Sequence, residues 1–309
     1  MVKIFDMNKR NLLNLGLLIF IGLLVLFVVY EPGIEKPAEA PTLLQLDKGS
    51  IRQIAIQRDG QQDIELVREE DGHWQMTQPI QHAADTFRID SLLRITSIKS
   101  LNRFTADADK LAAYQLDKPR VTLTLNGTTT IAFGSSTPLD QRRYVMVNGQ
   151  VHLITDTLYY HLIGSFPTFL RKQLLDEGSS IEALTLPGLS LTWQESRWQL
   201  EPEPESFSAD QVSQLIDRWK FASALEIKPY DNRPGETINL QLASNEAPLT
   251  LLLSARQPDL ILARPQLGIQ YHLDAASAER LLQLPPREEE TTHSDGERPD
   301  TDTTADTPH

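Results

Sequence analysis

Residues 51–56, IRQIAI, and residues 181–186, IEALTL, decide how this chain is read. Both alternate apolar and polar side chains, the period of a strand with one buried face. Each is followed by a tryptophan stretch, HWQM at 73–76 and RWQL at 197–200, and each tryptophan stretch by a proline, Pro79 and Pro202. A helical pattern comes next in both places. Ile89, Leu92, Leu93 and Thr96 stand at i, i+3, i+4 and i+7, and Val212, Leu215, Ile216 and Trp219 repeat that spacing 123 residues later. The spacing puts one apolar stripe on each helix. Asp85 and Ser208 sit where an N-cap oxygen would take an unpaired backbone N–H. Ser208 with Gln211 makes a capping box, and Phe207 with Val212 a hydrophobic staple.

The parallel continues outward. VTLTL at 121–125 and IAF at 131–133 are matched by INLQL at 238–242 and the leucine run at 249–253. RYVMV at 143–147 and VHL at 151–153, joined by Asn148-Gly149, are matched by LILA at 260–263 and QYHL at 270–273. Asn-Gly between alternating strands is a strong hairpin signal. A short helix closes each copy, with Asp156 and Asp274 as its expected caps. Order is kept over the whole unit, so the sequence predicts an α+β protein. It consists of two tandem repeats, 42–175 and 176–284, each a mainly antiparallel sheet with a packed helix. The connector lies near 170–179.

The flanks differ from the repeats and from each other. Residues 1–10 hold three bases against one acid, and residues 11–30, NLLNLGLLIFIGLLVLFVVY, hold no charge. At about 1.5 Å per residue, twenty residues reach roughly 30 Å, the hydrocarbon thickness of a bilayer. The run is longer than the apolar region of a secretory signal. The one small-x-small candidate, Ala38-Glu39-Ala40, lies well beyond it and precedes Pro41, so an uncleaved transmembrane helix is expected. The basic side stays in the cytoplasm, which exports everything after Tyr30. The localisation expected is the bacterial inner membrane, with a cytoplasmic N-terminus, a Pro-rich stalk at 31–41 and a periplasmic bulk. From residue 285 to 309, eight acids face two bases without hydrophobic periodicity, which reads as a disordered acidic tail. Of the net charge of −13 over 309 residues, −9 remains for the middle. An acidic balance excludes the basic footprint of a nucleic-acid binder. The absence of cysteine excludes disulfides, zinc-thiolate sites, iron–sulfur clusters and thiol catalysis.

No catalytic, cofactor-binding or metal residue is assigned, and no cofactor is expected. The seven histidines, His73, His82, His152, His161, His272, His293 and His309, form no helical ligand pair. His152 and His272 occupy matching strand positions and read as ordinary strand histidines. Gly134-Ser135-Ser136-Thr137-Pro138 is small enough to cradle an anion but reads as a turn between strands. Asp107, Asp109 and Asp117 share a loop whose spacing fits no EF-hand. Asn126-Gly127-Thr128 fits a glycosylation sequon and equally a turn. Arg142, Arg143, Arg171 and Lys172 form a basic patch only if the fold gathers them. Trp74 and Trp198 recur in place, which marks core more simply than interface.

A wider pattern adds to this: Trp74, Pro79, Ala84-Asp85, Tyr114-Gln-Leu-Asp117, Pro119, Val121-Thr-Leu-Thr-Leu125, Phe133-Gly134, Arg143-Tyr144-Val145, Val151-His-Leu-Ile154, and Leu170-Arg171-Lys172 with Leu174-Leu175. It resembles the bacterial domain of unknown function family 4340 over about residues 74–175; the second copy shares only the skeleton. Where that family commonly has glycine before the leucine of its tyrosine–leucine–proline signature, this chain has Gln115. The resemblance implies a membrane-anchored protein associated with gliding-motility-type ABC transporter proteins, and it transfers no catalytic residue. The function expected is therefore a non-enzymatic accessory or scaffold subunit of an envelope ABC-transporter-like complex. Its partners would be the lipid bilayer, through residues 11–30, and a transporter permease or auxiliary subunit. The alternatives are a periplasmic binding module for a cell-envelope glycan or lipid in the groove between copies and, behind it, an envelope hydrolase.

Overall fold

The computed structural model describes residues 9–30, 40–138, 140–204, 206–244 and 247–286. After helix α1 (Lys9–Tyr30), the first copy runs β1 (Gln53–Arg58), β2 (Ile64–Arg68), β3 (Trp74–Gln78), β4 (His82–Ala83), α2 (Thr86–Leu93), β5 (Asn102–Phe104), β6 (Val121–Leu125), β7 (Thr129–Ser136), β8 (Arg142–Val147), β9 (Gln150–Thr155) and α3 (Tyr159–Leu162). The second runs β10 (Ile181–Leu186), β11 (Leu189–Gln194), β12 (Arg197–Glu201), α4 (Ala209–Lys220), β13 (Glu226–Pro229), β14 (Glu236–Leu242), β15 (Leu249–Ala255), β16 (Leu260–Arg264), β17 (Ile269–Leu273) and α5 (Ala276–Leu282).

Two antiparallel sheets carry the same topology. The first is ordered β4-β3-β2-β1-β6-β7-β8-β9-β5 and the second β12-β11-β10-β14-β15-β16-β17-β13. Register agrees as well as order. Leu123 faces Ile131 as Ile238 faces Leu251, and His152 faces Val145 as Tyr271 faces Leu262. His152 and His272, expected at matching positions, are one residue out of register and on opposite faces: Leu101 N donates to Leu153 O where Leu225 N donates to His272 O. Pro79 and Pro202 both follow cis peptide bonds. The edge strands β5 and β13 were not expected from sequence. Each is short and largely exposed, so neither shows a two-residue hydrophobic period. Strand β4 has no counterpart in the second copy.

Packing explains the helices. In α2, Ile89, Leu92 and Leu93 are buried, with Thr96 in the 3-10 turn after it; in α4, Val212, Leu215, Ile216 and Trp219 are buried. Asp85 accepts from Arg88 N at 3.0 Å, and the Ser208–Gln211 capping box forms in both directions. Trp219 is fully buried, and its indole N–H donates to Leu281 O at 2.8 Å, which ties α4 to α5. One connected apolar cluster runs through both copies. Trp74 belongs to it, whereas Trp198 is half-buried beside the exposed Trp193, rings 5.4 Å apart.

Two further local expectations are corrected, and one family feature is kept without its glycine. Asp156 does not cap α3; it is the ion-pair partner of Arg143. Gly134, Ser135 and Ser136 continue strand β7 rather than forming a turn. Gln115 adopts the left-handed turn at φ 55° although it is not glycine.

Helix α1 is present where the apolar run predicts a helix, and its described large side chains are exposed. The transmembrane span expected at 11–30 is not shown. Among the described residues no helix is long and apolar enough to cross a membrane. The described side chains cover residues 12–27, about 24 Å of helix, less than the roughly 30 Å of hydrocarbon. The basic N-terminus expected at 1–10 lies outside the described residues through position 8, the stalk through 39, and the acidic tail from 287 onward.

Candidate functional site

The connector after the first copy is hydrogen-bonded to both copies in turn. Asp85 N donates to Phe169 O at 2.8 Å and Arg171 N to Ala83 O at 2.9 Å, along the free edge of β4. Two residues on, Ala224 N donates to Lys172 O at 2.9 Å and Leu174 N to Ala222 O at 3.0 Å. Leu170, Leu174 and Leu175 are buried beneath this double seam. The buried leucines therefore seal the junction, and Arg171 and Gln173, with Leu174 and Leu175, line a cavity between the copies.

That cavity, about 290 Å³, is walled by Gln75 and His82 from the first copy, Arg171 and Asp176 from the connector, and Leu249 and Arg264 from the second. His82 spans it. Its Nδ1 lies 2.9 Å from Ala83 O and its Nε2 3.0 Å from the Tyr271 hydroxyl. A carbonyl only accepts, so Nδ1 carries the proton, and the Tyr271 hydroxyl donates to Nε2. The Arg264 guanidinium acts on the same hydroxyl from within the second copy. Burial holds the His82 imidazole below its ordinary value, and Arg264 and Arg171 push the same way against the Ala83 carbonyl and Asp176. Burial pushes the Tyr271 phenol up, opposed by Arg264. The result is a polar chain, Arg264 to Tyr271 to His82 to Ala83, that crosses from one copy to the other with a neutral imidazole at its centre.

The other candidates disperse. His152 Nδ1 meets Ser100 Oγ at 2.9 Å in the first sheet, and His272 Nε2 meets Gln270 in the second. His161 takes Arg88, His73 is exposed, and His293 and His309 lie outside the described residues. Asp107 pairs with Lys110, while Asp109 and Asp117 are exposed. Among the described residues no group of three or more His, Asp or Glu converges as a metal site. Asn126 is turned inward: its oxygen accepts from Arg52 N and Gln53 N, and its amide donates to Ser50 O at 3.1 Å. The sequon asparagine thus holds a turn to β1. Of the four basic residues, Arg171 and Lys172 flank the junction, Arg142 pairs with Asp140, and Arg143 is buried elsewhere.

Arg143 explains much of the recurring motif. Its guanidinium pairs with Asp156 at 2.8 Å, donates to Gly134 O, and stacks 3.5 Å over Tyr159. A Cβ on Gly134 would lie 2.2 Å from Tyr114 O and 2.9 Å from Leu116, so only glycine admits that loop. Tyr114 packs against Tyr144 and Phe104 on the sheet face opposite α2. Tyr114, Leu116 and Gly134 therefore cover the back of the first sheet, while Arg143, on the face of Val145 and Phe133, holds Asp156 and Tyr159 of the α3 segment on the other side. Residues equivalent by register in the second copy are Ser254 for Gly134 and Leu260 for Arg143, which is why that copy keeps only the skeleton.

Sequence reasoning did not single out Arg264 or Tyr271, and it left His82 among unassigned histidines. These residues are up to 189 positions apart and meet only when one copy docks on the other, so no local spacing marks them. No curated protein and no solved structure matches the chain. The family described as Domain of unknown function (DUF4340) matches it over residues 39–119 and 74–246, more than half its length and well into the second copy. The chain belongs to the DUF4340 family.

Proposed function

We propose that the chain is a single-pass, membrane-anchored, non-enzymatic accessory subunit whose tandem domains serve an envelope transport complex from outside the cytoplasm. One observation carries this reading. Thirteen large apolar side chains of α1, from Leu12 to Phe27, are each 49–75% exposed, on every side of the helix. At about 1.5 kcal/mol or more for each such side chain removed from water, roughly 20 kcal/mol favours an apolar environment for α1. An amphipathic surface helix would leave one polar face, and α1 has none among its described residues. The uncharged sequence runs from Asn11 to Tyr30, beyond the described side chains at both ends, which matches a bilayer's thickness. Lys3, Lys9 and Arg10 before the run orient the N-terminus to the cytoplasm.

The partner reading rests on the family resemblance and on the seam that makes the two copies one connected core. Affinity purification of the full chain in mild detergent tests it. The expected result is stoichiometric co-purification of a transporter permease or auxiliary subunit from the membrane fraction. Recovery of the chain in the soluble fraction without detergent overturns the anchor; recovery from the membrane with no envelope protein attached overturns the partner.

A further inference from the structure

We propose that the cavity between the two copies is a binding site for a small oxyanion, a carboxylate or phosphate group, held between Arg171 and Arg264. The charge inventory of the walls points there first. Among the described lining residues two guanidiniums face a single carboxylate, Asp176. His82 is kept neutral and adds no compensating charge of either sign. Arg264 meets no carboxylate among the described residues; its neighbours are the Tyr271 hydroxyl and the His82 ring. Such a guanidinium, planar and always charged, is suited to two-point recognition of an oxyanion.

Arg171 supplies the second observation. One of its terminal nitrogens pairs with Asp176, but its Nε is buried with no hydrogen-bond partner. A buried donor left unsatisfied costs about 1–3 kcal/mol, and an acceptor entering the cavity removes that cost. Asp176 itself is largely exposed, its side chain 83% accessible, so it is a replaceable partner that holds Arg171 until a better acceptor arrives. Gln75 and Gln173 add neutral amide donors at the rim, and Leu174, Leu175 and Leu249 give the wall an apolar strip. About 290 Å³ is room for some ten waters, so an oxyanion with a short attached group fits where a polymer chain does not.

The test uses the full-length chain in neutral detergent, with acetate, inorganic phosphate and glycerol 3-phosphate as probes. The readout is the His82 imidazole resonance, assigned with His82→Gln. An oxyanion beside Arg171 and Arg264 is expected to move that resonance in a saturable way, whereas matched chloride is not. Arg264→Gln is expected to weaken the effective probe at least tenfold. Asp176→Asn frees Arg171 and is expected to tighten it severalfold, a gain that a misfolded variant does not give. Arg280→Gln, on α5 away from the cavity, leaves affinity unchanged. A parallel arm places the protein in nanodiscs with and without anionic phospholipid. A His82 response to the lipid alone assigns the oxyanion to a headgroup, and a response to soluble probes assigns it to a free molecule. No saturable shift in either arm, or equal affinity in Arg264→Gln, overturns the proposal. Loss of the membrane anchor or of a protein partner leaves these outcomes untouched.

Discussion

Replacing Arg143 by methionine separates a structural reading of the recurring motif from a surface one. Arg143 is 9% exposed, and its partner Asp156 has a side chain 19% exposed. The change keeps the aliphatic stem but removes the pair to Asp156, the bond to Gly134 O and the stacking on Tyr159. Breaking one side of a buried ion pair costs about 3–5 kcal/mol, because the other charge is left uncompensated. Partial exposure of Asp156 lets water enter, so the expected loss is about 2–4 kcal/mol. Urea unfolding of the detergent-solubilised chain, followed by tryptophan fluorescence, measures it. With a slope of about 2 kcal/mol per molar, the midpoint falls by roughly 1–2 M. Adding Asp156→Leu removes the stranded charge and is expected to recover a good part of the loss. If Arg143→Met costs under about 0.5 kcal/mol, as an exposed cation would, the buried network is not what holds the α3 segment to the first sheet, and the reasoning fails.

Other measurements follow from the same geometry. Trp219→Ala empties a fully buried site and orphans the Leu281 carbonyl, so about 4–6 kcal/mol is expected; Trp193→Ala, on an exposed ring, costs less than about 1 kcal/mol. Comparing their denaturation midpoints checks the order. Burial lowers the folded values of His82, His152 and His161, so between those values and about pH 6.5 the unfolded chain binds more protons. Stability is thus full above about pH 6.5 and declines as pH falls through the folded values. Thermal scans at pH 7.5 and 5.5 should show the drop, and His82→Gln should shrink it. Gln115→Gly relieves a left-handed residue, and a gain of up to about 1 kcal/mol is expected in the same urea assay. A loss there would mean the Gln115 side chain contributes more than its backbone costs.

The legible parts of the fold were those with a period. Strand alternation at β1 and β10 and the stripe from Ile89 to Leu93 announced themselves because each needs only its own neighbours. So did the Ser208–Gln211 box and the Asn148-Gly149 turn, whose two residues sit at φ 50° and 77°. The illegible parts depend on residues far apart in the chain. Asp156 looked like a helix cap because it precedes a helix, but an arginine thirteen residues earlier claims it. Gly134 looked like turn material because glycine usually is; its reason for being there is the close approach of Tyr114 from another segment. Strands β5 and β13 gain their place from the neighbour they pair with, not from their own pattern.

Duplication accounts for the frame of the junction cavity but not for its chemistry. By the register of the paired edge strands, the first-copy position matching Tyr271 is His152, and the one matching Arg264 is Val147. Neither offers a phenol or a guanidinium. His82 lies on β4, the one strand of the first sheet without a counterpart in the second. Each of the three groups in the polar chain therefore sits where the copies differ. A passive contact between duplicated units asks only for apolar fit, which Leu170, Leu174 and Leu175 already supply. A buried phenol, imidazole and guanidinium in line cost desolvation that apolar side chains would avoid. Their concentration at this one place, beside an arginine with an unsatisfied nitrogen, makes the seam between the copies the part of the molecule most specialised beyond holding its fold together.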